Sequence, residues 1–203
     1  MVAHADRPAP PDTRGTPRAR ARSPWRSGLA LLALAMLAGA PLAQEQLSEP
    51  QAKAAFILNF ARYVDWPERT FPSRDAPLTI CLIGRDSVAT ALTALEGRLA
   101  NGHPVALRTL GSASENMACH VVFIGASETR RLAQTLRSFS GQAILTVGDI
   151  DGFIDAGGAI GLVQGNGRLQ FEVNRTALEQ AQLKASSNLL KLARNLIDFK
   201  ARN

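Results

Sequence analysis

The chain has 203 residues, with 23 Lys and Arg against 17 Asp and Glu, which gives a formal net charge of +6. Residues 1–43 contain six of the Arg and two of the Asp, so the other 160 residues carry 17 basic and 15 acidic side chains, a net charge of +2. Without a basic run or stripe in this main part, the composition excludes a typical nucleic-acid-binding surface. The length suffices for one domain with a buried core.

The first 43 residues are predicted to be a secretory signal peptide. A basic stretch precedes the apolar run 29–38, and small residues follow this run up to Ala43. A basic start, an apolar core and a small-residue exit are typical of exported proteins. The run is shorter than the roughly 20 apolar residues that span a membrane, so an uncleaved anchor is the weaker alternative. We expect cleavage after Ala43, or after Ala40, and a single domain over residues 44–203.

A helix that begins near Ser48 is predicted to be the first element of this domain. Ser48 and Gln51 have the spacing of a capping box, in which side chains satisfy free backbone N–H groups at the helix start. The helix is expected to end at residues 63–65, because Pro67 disfavours helical geometry in the residue before it.

The apolar face of this helix is predicted to pack in the core, since Phe56, Phe60 and Val64 follow helical spacing. An aromatic stripe at this spacing usually serves packing, so a purely structural role is one interpretation of the whole segment. The other is that its aromatic end reaches the surface and forms a contact site. The residues predicted for this partner or ligand rim are Arg62, Tyr63, Trp66 and Arg69.

Apolar strands and helices alternate after residue 76. The runs 78–83, 121–124 and 143–147 are almost free of polar residues, and each is followed by a Gly and a helix-capping residue. Strands of this composition are buried on both faces, as in a parallel sheet covered by helices. We therefore predict an α/β fold with a mostly parallel sheet flanked by helices. The other elements predicted in this region are a strand at 104–110 and helices at 87–95 and 128–139.

A β-hairpin and two helices are predicted at the C-terminus. The segments 159–164 and 168–173 flank an Asn-Gly pair at 166–167, a strong signal for a tight hairpin turn. Apolar residues at helical spacing then predict one helix over 175–182 and another from residue 186 or 187 to about 199.

Cys81 and Cys119 are the two Cys of the chain. Exported proteins fold in oxidising compartments, where an even number of Cys favours a disulfide. A disulfide that closes a loop of this size stabilises a fold by about 3–4 kcal/mol in the chain-entropy model. Two buried free thiols are the alternative, because both residues lie in or beside apolar strands.

The sequence predicts no catalytic, cofactor or metal site. His103 and His120 lack metal-ligand spacing to other ligand residues, and the position of His120 at a strand start is typical of a structural histidine. Asp149 and Asp151 follow a strand, as in haloacid-dehalogenase-type phosphatases, but Gly148 interrupts that motif. A capped turn explains the two Asp better.

The turns at Gly84, Gly125 and Gly148 are expected to meet at the carboxyl edge of the sheet. Ligand crevices of open α/β sheets form at this edge. A small-molecule sensor is therefore one functional hypothesis for the chain.

Several segments, in their order and spacing, resemble the YfiR family of periplasmic proteins. They cover nearly all of residues 48–199, and the matching segments are 53–67, 78–84, 121–125, 144–153, 157–160, 171–174 and 186–193. The resemblance implies an exported repressor without enzymatic activity. Such a protein binds the periplasmic sensor region of an inner-membrane diguanylate cyclase and thereby limits cyclic di-GMP synthesis and biofilm formation.

The resemblance also implies further partners and a disulfide. An outer-membrane OmpA-like lipoprotein is an expected second partner, and a homodimer is a further expectation. Cys81 and Cys119 correspond to the structural disulfide of the family, whereas the second Cys pair expected near residues 155–162 is missing from this sequence. The alternative hypothesis is a periplasmic sensor of a nucleotide or an aromatic amino acid that acts through another membrane partner, such as a histidine kinase.

Overall fold

A computed structural model describes residues 47–115 and 118–198 of the chain, and the predicted signal peptide at 1–43 lies outside the described residues. The helices are α1 (Glu49–Tyr63), α2 (Val88–Thr93), α3 (Leu132–Ser138), α4 (Arg175–Gln180) and α5 (Ser187–Leu192). The strands are β1 (Val64–Asp65), β2 (Leu78–Ile83), β3 (Leu99–Ala100), β4 (His103–Leu110), β5 (Val121–Ile124), β6 (Leu145–Gly148), β7 (Ile160–Gly165), β8 (Arg168–Asn174), β9 (Lys184–Ala185) and β10 (Asn195–Ile197).

Eight of the strands form one mixed sheet in the order β10-β8-β7-β6-β5-β2-β4-β3. Its central strands, from β4 to β7, run parallel to one another. The predicted hairpin is formed by the antiparallel strands β7 and β8, and β10 adds in parallel to β8. Strands β2, β5 and β6 are buried along their whole length, which explains why their sequences lack polar alternation. The predicted α/β fold class is confirmed.

Helix α1 begins and ends where the sequence predicts. The backbone N–H of Ser48 donates to Gln51 Oε1 at 2.8 Å, as a capping box requires. After Tyr63 the chain becomes extended at Val64. Phe60 and Val64 are fully buried, and the Phe60 ring lies 5.1 Å from that of Phe171 in the hairpin. The predicted core role of Phe60 and Val64 is therefore confirmed.

The last predicted helix is wrong in its length. Helix α5 ends at Leu192 instead of near residue 199, because Ala193 is already extended, with a ψ of 135°. The N–H of Arg194 then donates to the Phe171 carbonyl at 2.8 Å, and Asn195–Ile197 pairs with β8. The edge of β8 offers this segment backbone partners that compete with continued helix.

The predicted helix over 128–139 is also only partly confirmed. Its first half is a 3₁₀ segment, Ala126–Arg131, and regular α-helix begins at Leu132. Short 3₁₀ segments are common at helix N-termini, where the first N–H groups have no partner one turn earlier.

Two apolar clusters cover the two faces of the sheet. The larger cluster contains the buried face of α1, and the smaller one contains Phe139, Phe153 and the disulfide. Cys81 and Cys119 are bonded, with Cα atoms 5.8 Å apart, so the predicted disulfide is confirmed.

The end of α1 is tied to the C-terminal region by backbone pairing. Val64 pairs with Ala185, and Asp65 pairs with Lys184, in the small antiparallel sheet of β1 and β9. The Ser186 N–H also donates to the Tyr63 carbonyl at 2.8 Å. These bonds fix the position from which the predicted rim residues project.

Candidate partner-binding site

Three of the four residues predicted for the partner rim are exposed at the end of α1 and in the turn after it. Tyr63 retains 47% of its surface, and Arg62 and Arg69 are also exposed. Tyr and Arg are residue types that protein interfaces favour, because these side chains combine apolar area with hydrogen-bond donors.

Hydrogen bonds hold both arginines. Arg62 donates through Nε to the Leu99 carbonyl at 3.2 Å and through a terminal nitrogen to Asn59 Oδ1 at 3.4 Å. Arg69 donates to the side-chain oxygen of Gln182, which lies in the loop after α4. The two side chains are thus oriented before any partner arrives, which lowers the entropy that binding would cost.

Contrary to the prediction, Trp66 does not reach the surface. It is 9% exposed, and its ring meets the edge of Phe71 with centroids 6.4 Å apart. Its indole N–H is buried without a hydrogen-bond partner among the described residues. Trp66 thus belongs to the core, because the chain is extended after Tyr63 and its side chains alternate: Val64 and Trp66 are buried and Asp65 is exposed.

An open cleft of about 490 Å³ lies beside Trp66. Three aromatic or imidazole rings form part of its wall, and charged, amide and hydroxyl side chains form the rest. The cleft lies near the amino ends of the parallel strands, next to the start of β4. Its lining residues are Trp66, Glu68, Phe71, Ser73, Arg74, Asn101 and His103.

Phe71 is stacked between two histidines. Its ring centroid lies 3.8 Å from that of His103 and 4.4 Å from that of His120, with the planes within 9° and 6° of parallel. His103 Nδ1 bonds the Ala76 carbonyl at 2.7 Å, and His120 Nδ1 accepts the Thr79 N–H at 3.0 Å. His120 is therefore a structural histidine, as expected.

Burial lowers the pKa of His120. A bond to the backbone of Thr70 opposes this shift, and the charge of His103 adds to it. The sequence offers no direct signal for this stack, because its three rings come from separate segments.

The carboxyl edge of the sheet offers less space than its glycines suggested. Gly84 and Gly125 directly follow β2 and β5, and Gly148 is the last residue of β6; these three strands are adjacent and parallel, as expected. However, the ring of Phe153 lies so close to Gly148 that an added Cβ would be 2.3 Å from it. A cavity of about 210 Å³ remains at this edge, beside Ile83 and the ion pair of Glu128 with Arg131.

Asp149 is held by an ion pair and not by a capped turn, so the capped-turn explanation is wrong for this residue. Its Oδ2 lies 2.6 Å from Lys53 Nζ, which also lies 2.9 Å from Glu49 Oε1. Only 7% of the Asp149 side chain is exposed. The residue is therefore not presented to a substrate at the sheet edge, as the phosphatase motif would require.

The described residues contain neither a metal-binding cluster nor a membrane-spanning helix. Over 47–115 and 118–198, no three His, Cys, Asp or Glu side chains are grouped to hold a metal ion. No helix in these ranges is long and apolar enough to cross a membrane.

The YfiR/HmsC-like family model matches residues 50–194. This chain belongs to the YfiR/HmsC-like family. Membership supports a periplasmic regulatory role through protein contacts, in a family of regulatory and not catalytic domains.

Two solved structures are similar to this YfiR/HmsC-like chain. The ABC domain in complex with L-Trp from Streptococcus pneumonia is 9% identical, with a TM-score of 0.50 over 71% of this chain. A conserved domain protein from Vibrio cholerae is 12% identical, with a TM-score of 0.48 over 74% of this chain. The chain spans 60% and 61% of the lengths of these two proteins.

Proposed function

We propose that the protein is a periplasmic repressor that binds the sensor region of an inner-membrane diguanylate cyclase and thereby lowers cyclic di-GMP synthesis. The observation that carries this proposal is the family match over residues 50–194. Export through the segment 1–43, which we propose to be a cleaved signal peptide, would bring the protein to the side of the membrane where such sensor regions lie. An OmpA-like outer-membrane lipoprotein is the proposed competitor that removes the repressor, and a homodimer is the proposed assembly.

The proposed contact surface is centred on Tyr63, with Arg62 and Arg69 beside it. Tyr63 would supply apolar area and the two oriented Arg would supply charge-assisted hydrogen bonds, a combination that is typical of interface hot spots. Trp66 supports this surface from below and is not proposed as a direct contact.

Deletion of the gene tests the function directly. We expect cellular cyclic di-GMP to rise several-fold in the deletion strain and to return to the original level when the gene is restored. An unchanged level under several growth conditions would refute the repressor.

Complementation of the deletion strain with variants then tests the proposed contact surface. Tyr63→Ala combined with Arg69→Ala should fail to restore repression while the protein accumulates normally, because both side chains are exposed and their loss leaves the core intact. Arg130→Ala, which removes an exposed Arg on another part of the molecule, is the matched control and should restore repression fully. If the double variant also represses fully, the contact lies elsewhere.

A small-ligand sensor is the second candidate, and the cleft beside Trp66 favours it. The stacked rings of this cleft, together with Arg74 and Glu68 in its wall, suit a planar ligand that carries a charged group. The L-Trp bound to the pneumococcal domain suggests an aromatic amino acid as the first compound to test. Calorimetric titration should show binding that is weakened by Arg74→Ala and unaffected by Arg130→Ala. A lack of heat with aromatic amino acids and nucleotides would exclude both ligand classes.

A further inference from the structure

Beyond Val105, one side of strand β4 is not covered by any described strand. On its other side β4 pairs with β2 over residues 105–110. The short strand β3 covers only the start of β4, through His103 and Pro104. Among the described residues, no strand pairs with residues 107–109 on the side away from β2. We call residues 107–109 the open edge.

The backbone groups of Leu107 and Thr109 face away from the sheet. The Val105 N–H donates to the Arg98 carbonyl at 2.9 Å, and the Val105 carbonyl accepts from the Gly97 N–H at 2.8 Å, so both groups of Val105 face outward. In an extended strand every second residue directs its N–H and C=O to the same side. Leu107 and Thr109 therefore each present one donor and one acceptor to an incoming strand.

A groove of about 520 Å³ lies beside the open edge, between α2 and β4. Leu107 packs against the larger apolar cluster on this face of the sheet, and α2 contributes Ala89 and Thr93 to the groove. Of the described residues that line the groove, all but one have apolar or hydroxyl side chains. The exception is Arg108, which is exposed.

A second copy of the chain fits the open edge poorly. Antiparallel pairing of two copies about a two-fold axis uses all the outward groups only when Leu107 of one copy faces Thr109 of the other. The two Arg108 side chains then lie directly opposite each other in a non-hydrogen-bonded pair, where opposing side chains are closest. Like charges at such a position destabilise the pairing, whereas an acidic residue on another protein's strand would pair favourably with Arg108.

We propose that the open edge accepts one antiparallel strand from the partner, in which an acidic residue lies opposite Arg108 between two apolar residues. Backbone bonds to Leu107 and Thr109 hold this strand, and its two apolar side chains lie on the face of the groove. The inference rests on the proposed function in one respect, since the strand is supplied by the sensor region of the cyclase.

The open edge is connected to the proposed contact surface through β3. Arg62, at the end of α1, donates to the Leu99 carbonyl in β3 at 3.2 Å, and Leu99 pairs with Pro104 of β4. Leu99 itself retains 63% of its surface. This connection supports a single partner that contacts both the end of α1 and the open edge.

Titration with a short peptide, followed by amide chemical shifts, tests the open edge without the cyclase. The peptide Ser-Val-Glu-Val-Ser should shift the amides of Leu107 and Thr109 most and leave the amide of Val122, in β5, unchanged. Ser-Val-Lys-Val-Ser is the matched control and should bind several-fold more weakly, because its Lys would face Arg108. No shift at Leu107 and Thr109, or equal binding of the two peptides, would overturn the proposal.

A proline in the open edge tests whether the partner uses it. Thr109→Pro removes an outward N–H and keeps the pairing of β4 with β2, because proline is tolerated on an edge strand where the N–H faces solvent. Thr109→Val keeps the N–H and is the matched control. For the purified sensor region, we expect Thr109→Pro to weaken binding at least about tenfold and Thr109→Val to stay within about twofold of the wild type.

The outcomes separate the strand site from the proposed partner. Wild-type affinity in Thr109→Pro would overturn strand addition by the sensor region, and so would equal losses in both variants, since these would point to the side chain. If the wild type does not bind the sensor region at all, the proposed function is contradicted, and the peptide titration decides whether the edge accepts a strand. The titration uses the wild-type protein, so it also decides the matter if Thr109→Pro fails to fold.

Discussion

At the scale of single residues, Lys53 joins the first helix to the sheet. Its Nζ lies 2.6 Å from Asp149 Oδ2 and 2.9 Å from Glu49 Oε1, and only 14% of the Lys53 side chain is exposed. Burial acts against the charged amine, but the bonds to the two carboxylates outweigh it and raise the pKa of Lys53. The second oxygen of Asp149 is buried without a hydrogen-bond partner among the described residues, so this carboxylate depends on Lys53.

Lys53→Met should destabilise the protein by about 3 kcal/mol, because it leaves the Asp149 carboxylate buried and unpaired. Urea unfolding at pH 7, followed by circular dichroism, measures the change. The raised pKa of Lys53 stabilises the fold below about pH 10.5, and this stabilisation disappears only as the pH rises through the folded-state pKa. The stability lost in Lys53→Met should therefore be the same at every pH near neutral.

Two further variants isolate the buried pair. Glu49→Ala should cost no more than about 0.5 kcal/mol, because the Glu49 side chain is 56% exposed. Adding Asp149→Asn to Lys53→Met should recover part of the lost stability, since it removes the unpaired charge. If the effects of Lys53→Met and Asp149→Asn on the free energy of unfolding were strictly additive, the two side chains would not be coupled.

At the scale of elements, the C-terminal segment shows how a sheet edge overrides local helix preference. The apolar spacing of Leu189 and Leu192 predicts a continuous helix, yet Leu192 is 74% exposed and the helix ends there. The bond from the Arg194 N–H to Phe171 starts the pairing of β10 with β8. Tertiary hydrogen bonds at an otherwise unpaired edge therefore decide the structure of this segment.

Arg194→Pro should release β10, because proline has no N–H to donate to the Phe171 carbonyl. We expect a loss of about 1–2 kcal/mol in unfolding free energy and faster proteolysis near the C-terminus. Arg194→Ala keeps the backbone N–H and serves as the control, with stability within about 0.5 kcal/mol of the wild type. Equal sensitivity of the two variants to protease would mean that the side chain, and not the backbone bond, holds the strand.

At the scale of the whole molecule, hydrophobic patterning was enough to predict the parallel sheet, the hairpin and the core face of α1. Strands buried on both faces must be apolar at every position, and a helix that covers them must repeat its apolar residues every three to four positions. The Asn-Gly turn at 166–167 likewise has few conformational alternatives, and it lies between β7 and β8 as predicted.

The candidate site could be predicted only in part. Tyr63, Arg62 and Arg69 are exposed as expected, because a polar or amphipathic side chain at a helix end has little to pack against. The exposure predicted for Trp66 was wrong, because Trp66 follows Val64 by two positions on an extended segment and so lies on the same, buried side.

The sequence by itself determined the order of the main strands β2 and β4–β8, the buried character of the central strands and the family, because these depend on composition and spacing along the chain. Only the tertiary structure decided which distant groups meet. Lys53 and Asp149 are 96 residues apart, and Thr79 and His120 are 41 apart. A buried polar contact depends on the packing of whole elements against one another, whereas sequence periodicity reports only which face of each element is apolar.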